Sequence, residues 1–270
     1  NTTGAVEEAR GSGINAAAPF THGVRKIISG GQTGADLQGL QTAQRLGLEI
    51  GGTGVPESYS LKNSVLAPNY GVKYIEEGAL PIHPDITMTE EYHFIYSPRT
   101  ERNVLESDAT IVIDLSGGHG SKLTRNIVGY THGINKKIKK NGKWVRPAKK
   151  VKKEYKDAGV TPKAGFFVYR KVPKNVEYTS DGIIHIAIDD PNFQTILQKW
   201  LVDNQVEVLN VAGNREKIAG IEEATDKIIR MLGEPKPINV SKRDFEIAPV
   251  RNVNYTKGDN TVLSNFHEHP

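Results

Sequence analysis

The chain has no cysteine among its 270 residues. That absence excludes disulfides, thiolate metal sites and a cysteine nucleophile, and it leaves the redox compartment undetermined. No run of about 18 apolar residues is present, so no membrane span is expected. The first residues lack the basic start and apolar stretch of a secretory signal. Charge of one sign is not in large excess: 35 basic against 31 acidic side chains give a net +4 and a pI near 9.0. The expectation is a soluble, cytoplasmic protein, long enough for one sizeable core with a small second unit or long tails.

Glycine is abundant and clustered in turns. Ile27-Ile28-Ser29 is a short β-branched run that feeds Gly30-Gly31-Gln32-Thr33-Gly34-Ala35-Asp36. Leu37, Leu40, Ala43 and Leu46 then recur at a spacing of three, and Gly47 stands where a helix ends. The pattern is strand, tight loop, helix. Such a loop aims backbone N–H groups and the positive end of a helix dipole at one spot, and glycine permits close approach. No Gly-Lys-Ser/Thr follows, so this is not a Walker A loop, and glycines at 30, 31 and 34 do not spell G-x-G-x-x-G. A tight turn that binds nothing is the competing reading. Gln32, Thr33 and Asp36 weigh against it, because a bare turn has little use for that much hydrogen-bonding capacity.

Residues 1–22 have almost no apolar periodicity and read as a mobile leader. Strands are expected over 24–29, 48–50, 72–75 and 109–115, the last apolar on both faces as in a central parallel strand. Residues 57–92 read as an irregular excursion over the binding edge or a surface insertion. Ser97-Pro98 is an acceptable helix start for 99–105. Two more glycine loops follow strand ends, Gly51-Gly52-Thr53-Gly54 and Ser116-Gly117-Gly118-His119-Gly120-Ser121, and a helix carrying Leu123, Ile127 and Tyr130 comes next. The region 136–156, inside an insertion spanning about 135–164, is dominated by lysine. It is either a solvated, flexible insertion or an arm for a polyanion, with Trp144 able to stack. Strands return at 166–169, 183–188 and 206–211, with an amphipathic helix through Phe193, Ile196, Leu197, Trp200 and Leu201 between the last two. A final helix carries Ile218, Ile221, Ile228 and Leu232. The fold class is therefore α/β: a Rossmann-like, doubly wound, mostly parallel sheet with helices on both faces, spanning 23–233. Residues 234–270 read as a linker and an unfinished segment. No metal site is expected, His267 and His269 being read as exposed terminal side chains.

The stretch from Ile28 to Asp36 closely resembles the signature of the molybdenum (cofactor) carrier family. That family belongs to a Rossmann-like group with the lysine-decarboxylase-like phosphoribohydrolases and DNA-processing protein A. Further matches fall in order: Gly51-Gly52; Arg99-Thr100-Glu101 with Asn103-Val104 and Ser107-Asp108; Gly117-Gly118 with Thr124; and Leu209-Asn210-Val211-Ala212-Gly213 with Arg215-Glu216. Two departures matter. Thr53-Gly54-Val55-Pro56 replaces a Trp-Cys-Pro stretch of the family, and no acid occurs within 119–124, where the phosphoribohydrolases carry a glutamate. Asn254-Tyr255 and Leu263-Ser264-Asn265-Phe266 resemble the opening of the NADAR (YbiA-like) domains, which act on ADP-ribose-type N-glycosides, so the chain reads as the front part of a longer protein.

The loops at 29–34, 51–56, 116–121 and 212–216 are expected to converge on one crevice. Gly30, Gly31, Gly34, Gly117 and Gly118 would give backbone contacts to phosphate, and Thr33, Ser121 and Thr124 hydroxyls. Arg99 or Arg215 would clamp it bidentately. Gln32, Asp36, Gly51, Gly52, Thr100, Asn103 and Gly213 complete the ligand-contact set, with Asn103 and Asn210 alternatively satisfying loop backbone. Glu101 is the candidate general acid/base; its other reading is an exposed helix carboxylate paired with an arginine. Three functions stay open: binding of a small phosphorylated ligand, either molybdenum cofactor or an NAD-derived nucleotide; N-glycosidase action on nucleoside phosphates; and a non-enzymatic interaction protein whose arm at 136–156 contacts polyanions. The resemblance also implies self-association, for which no decisive apolar patch stands out.

Overall fold

The structure, a computed structural model, describes residues 23–63, 70–86, 91–176 and 180–232. The expected leader, the NADAR-like segment, His267 and His269 lie outside the described residues. In chain order the elements are β1 (Lys26–Ile28), α1 (Ala35–Arg45), β2 (Glu49–Gly54), α2 (Glu57–Asn63), β3 (Val72–Tyr74), α3 (Glu91–Glu106), β4 (Ala109–Asp114), α4 (His119–Thr131), β5 (Ile138–Lys140), β6 (Lys143–Val145), α5 (Lys153–Asp157), β7 (Ala164–Tyr169), β8 (Ile183–Ala187), α6 (Phe193–Asp203), β9 (Val208–Gly213) and α7 (Ile221–Arg230).

All six residues of β4 are buried, and their side chains alternate between two cores. Ile111 and Ile113 join Phe166, Val168, Leu209 and Val211 beneath α1, α6 and α7, where Leu40, Leu197, Trp200 and Ile228 pack. Val112 points the other way, to Phe167 and Tyr169, and meets Val104 of α3, Ile127 and Val128 of α4 and Tyr155 of α5. A strand buried on both faces carries apolar residues at consecutive rather than alternate positions, as in Ile111-Val112-Ile113 of β4 and Phe166-Phe167-Val168 of β7.

The sheet has seven strands in the order β3-β2-β1-β9-β4-β7-β8, and every pairing is parallel. From β1 the chain winds to one edge through β2 and β3. From β4 it winds to the other through β7 and β8. The last strand, β9, then inserts between β1 and β4. The winding direction thus reverses around β9, and open parallel sheets bind ligands beyond the carboxyl ends of strands at such a reversal.

Two expected boundaries move. Strand β2 runs through Gly51 and Gly52 to Gly54, so most of the expected second loop is strand. Gly52 has φ of +125°, and a Cβ there would stand 2.2 Å from the Ser29 carbonyl oxygen, so the glycine admits β1 rather than a ligand. Pro98 lies inside α3, not at its start. The lysine-rich segment is also structured, with β5 and β6 forming an antiparallel hairpin and α5 following.

Asn103 satisfies backbone, as one of its two readings has it. β1 ends at Ile28, paired with Gly51, and Thr53 lies beyond that register. The Asn103 carboxamide accepts from the Thr53 N–H and donates to the Thr53 carbonyl, both at 2.8 Å and buried. Asn103→Ala should leave both groups unpaired and cost about 2–4 kcal/mol. A urea denaturation series would show this as a lower midpoint at unchanged slope.

Candidate functional site

Three loops meet beyond the carboxyl ends of the neighbouring strands β1, β9 and β4. They enclose a cleft of about 620 Å³, lined by Gln32, Asp36, Tyr96, Arg99, Thr100, Ser116, Gly118, His119, Gly120, Ser121, Leu123, Thr124, Ala212, Gly213, Asn214, Arg215, Lys217 and Ile218. Of the residues expected at the site, Gln32, Asp36, Arg99, Thr100, Gly118, Ser121, Thr124, Gly213 and Arg215 are brought together here.

Asn214 ties the three loops. Its N–H donates to the Ile113 carbonyl at 3.0 Å, and its carbonyl accepts from the Ala35 N–H at the start of α1, also at 3.0 Å. Its side-chain oxygen accepts from the Leu115 N–H at 2.6 Å. Its amide nitrogen lies 3.1 Å from Asp114 Oδ1 and 3.2 Å from Ser121 Oγ. Asp114 in turn accepts the N–H groups of Gly117 at 2.8 Å and Gly118 at 3.1 Å, and its other oxygen pairs with Arg125. Burial pushes the Asp114 carboxyl up, but Arg125, Asn214 and the Gly117 amide outweigh it and hold the group below the usual carboxylate range.

The opposite wall is built on α3. Arg99 Nη2 donates to Gln32 Oε1 at 2.7 Å, and Nη1 stands 3.5 Å from Asp36 Oδ2 in a buried pair. Gly30 makes room for this guanidinium, since a Cβ there would lie 1.8 Å from Arg99 Nη1. Burial raises the Asp36 pKa, against the pull of Arg99. Arg215 donates to the Tyr96 hydroxyl at 2.9 Å, and the Arg99 and Arg215 guanidinium carbons each lie 5.6 Å from the Tyr96 ring centroid. Two buried donors on this wall, Gln32 Nε2 and Arg99 Nε, have no hydrogen-bond partner among the described residues. Across the cleft, α4 starts at Gly118 with no side-chain cap, leaving its first amides, from His119 to Ser121, open.

Several expected site residues lie elsewhere or have their polar groups already bonded. Gly117 and Gly118 have given their amides to Asp114, so they have none for a phosphate. Thr33 bonds the Glu216 carboxylate. Gly31 and Gly34 shape the turn into α1 without lining the cleft, and Gly51 and Gly52 lie in β2. Glu101 neither faces the cleft nor is exposed. It is fully buried on the other side of α3, accepting from the Ile82 N–H at 2.6 Å, the His83 N–H at 2.9 Å and the Tyr155 hydroxyl at 2.8 Å. Burial pushes its pKa to about 7, although those donors pull it down. His83, stacked on Tyr130 at 4.2 Å, is pushed by burial to about 4. Sequence reasoning reached His119 and Asn214 only as members of the converging loops 116–121 and 212–216, and it missed Tyr96 and Lys217 as lining residues. For Asn214 the signal was its place in a glycine loop at a strand end.

Asn214→Asp puts a second carboxylate about 3 Å from Asp114, and one of the two must then take a proton. The variant should be about 1–3 kcal/mol less stable at neutral pH and recover part of the loss on acidification, measured by thermal melts against pH. For Glu101 the folded protein holds the proton above its ordinary value of 4.5. Its contribution to stability is therefore complete below about pH 4.5 and lost as pH rises through about 7. Glu101→Gln should accordingly lose less stability than the wild type between about pH 5 and about pH 8.

Among the described residues no cluster of three or more His, Asp or Glu side chains could hold a metal ion, and no helix is long and apolar enough to cross a membrane. No curated protein matches the chain. A crystal structure of a "Putative molybdenum carrier protein" from Syntrophus aciditrophicus is similar at 24% identity, covering 78% of this chain and 96% of that one with a TM-score of 0.47. Residues 27–153, from β1 to the first residue of α5, match the circularly permuted YpsA SLOG family, in agreement with the molybdenum-carrier-like resemblance of the glycine loops.

Proposed function

We propose that the cleft binds a small phosphorylated ligand of nucleotide or pterin type, with its anionic group between the first turn of α4 and the Arg99–Arg215 wall. The observation that carries this reading is the pair of buried donors without partners among the described residues, Gln32 Nε2 and Arg99 Nε, in residues that line an otherwise well-bonded cleft. Buried polar groups are nearly always paired, so two unmet donors at one opening favour an acceptor supplied from outside. The electrostatics agree. Arg99, Arg215 and Lys217 line the cleft against the single carboxylate of Asp36, which already faces Arg99. Open helix-start amides and a dipole add to the attraction for an oxyanion.

A molybdenum cofactor would be held here by its phosphate, not by its metal. The lining offers guanidinium, amide and hydroxyl donors and no thiol, which suits an oxyanion. The N-glycosidase alternative has lost Glu101, and Asp36 is the one carboxylate left in the lining to serve as its acid.

Thermal melts with AMP, ADP-ribose, a pterin phosphate and inorganic pyrophosphate provide the test. A ligand at a hundred times its Kd should stabilise the protein by about 2.7 kcal/mol through mass action. Arg215→Ala, on an exposed side chain, should abolish that shift while leaving the unliganded melt nearly unchanged. No shift with any of the four would remove the reading. Release of free base from AMP at high protein concentration would replace binding by hydrolysis.

A further inference from the structure

The insertion between α4 and β7 leaves the sheet at the edge opposite the cleft, because α4 runs from the carboxyl ends of the strands back to their amino ends. Residues 136–156 hold eleven basic side chains and one acidic, Glu154. The whole chain is only +4, so the rest of the sequence is net negative. The positive charge of this protein is therefore concentrated in one segment.

That segment is rooted in the body. Tyr155 of α5 is fully buried in the second core and donates to Glu101 at 2.8 Å. The two ends of the insertion are pinned together where Lys163 N–H donates to Thr131 Oγ1 at 3.0 Å and His132 Nε2 meets the Lys163 carbonyl at 2.9 Å. The hairpin stem is closed by Asn135, which donates to the Gly133 and Lys150 carbonyls at 3.0 and 2.8 Å, and by Arg146, which donates to the Asn135 carbonyl at 2.8 Å. Asp85 holds the stem from outside, accepting from the Lys136 N–H at 3.2 Å and lying 3.5 Å from Lys152 Nζ.

Beyond the root, all six strand residues of the ribbon are exposed. The register places Lys139 opposite Trp144 on one face, and Ile138, Val145, Lys140 and Lys143 on the other. Trp144 is 69% exposed. Cations thus occur on both faces. A ribbon that dips into a lipid surface needs one apolar face, and this one has none. A charged strand lying along the ribbon can use both: lysines for its phosphates and an indole for a base. A base must be unpaired to stack on an indole.

We propose that the hairpin 138–145 is a binding surface for single-stranded nucleic acid, with Trp144 stacking on a base and Lys139, Lys140 and Lys143 contacting phosphates. Trp144 is its own reporter, since the other tryptophan, Trp200, is 2% exposed in the core. Titrating the full chain with oligothymidylate should quench Trp144 emission, and fluorescence anisotropy of the labelled oligonucleotide should give an affinity that falls linearly with salt on logarithmic axes. Trp144→Ala should weaken binding about tenfold or more. Lys139→Glu with Lys143→Glu should weaken it further and flatten the salt slope, with melting temperatures unchanged because the sites are solvent-facing. Equal binding of duplex and single strand, indifference of affinity to Trp144→Ala, or a Trp144 blue shift on anionic phosphatidylserine vesicles without quenching by oligonucleotide would each overturn the proposal.

Discussion

The contact between Asp114 and Asn214 sets the cleft edge of the sheet. The two residues stand at the ends of adjacent central strands, where the ladder of backbone hydrogen bonds runs out. Every buried N–H released at that point still needs an acceptor. Asp114 takes those of Gly117 and Gly118, Asn214 takes that of Leu115, and the Asn214 main chain reaches both β4 and the first residue of α1. One pair of residues, through side chains and main chain together, therefore joins the loops after β1, β4 and β9 and fixes how the starts of α1 and α4 are separated. Arg125 neutralises the carboxylate, which would otherwise oppose an anion in the space beside it.

The glycines around this pair serve protein groups first. Gly30 yields its side-chain volume to the Arg99 guanidinium, and Gly118 lies close enough to Asn214 that a Cβ would stand 2.8 Å from its amide nitrogen. Absence of a side chain here allows charged and polar groups to approach the backbone, and Arg99 and Arg215 stand across the cleft from the opening turn of α4. The amides of Gly117 and Gly118 are already bonded to Asp114.

Helix α4 links the two regions where basic side chains gather. Its first turn opens on the cleft, and its last turn meets the root of the basic hairpin, about 20 Å away by helix rise. Glu101 holds that root through Tyr155 and holds the chain at Ile82 and His83 as well. A residue expected to do chemistry thus works as an anchor, and a buried carboxylate with three donors is well suited to that.

Periodicity made the sheet legible: Ile27-Ile28, 109–115 and 166–169 carry their burial in their own composition, and the phase of Leu37, Leu40 and Ala43 marks a helix face. The convergence of the loops after β1, β4 and β9 was also readable, since parallel strands joined by helices place their carboxyl ends on one edge. The extent of β2 was not, because its glycines look like loop when the Ser29 backbone beside Gly52 is out of view. Nor were the partners of the polar residues. Asp114 and Asn214 lie 100 residues apart in sequence, and Glu101 meets Tyr155 across 54. Which elements form follows from local spacing, and the sequence by itself determined that. Which buried donor meets which acceptor depends on where the packed elements bring distant side chains, and only the tertiary structure decided it.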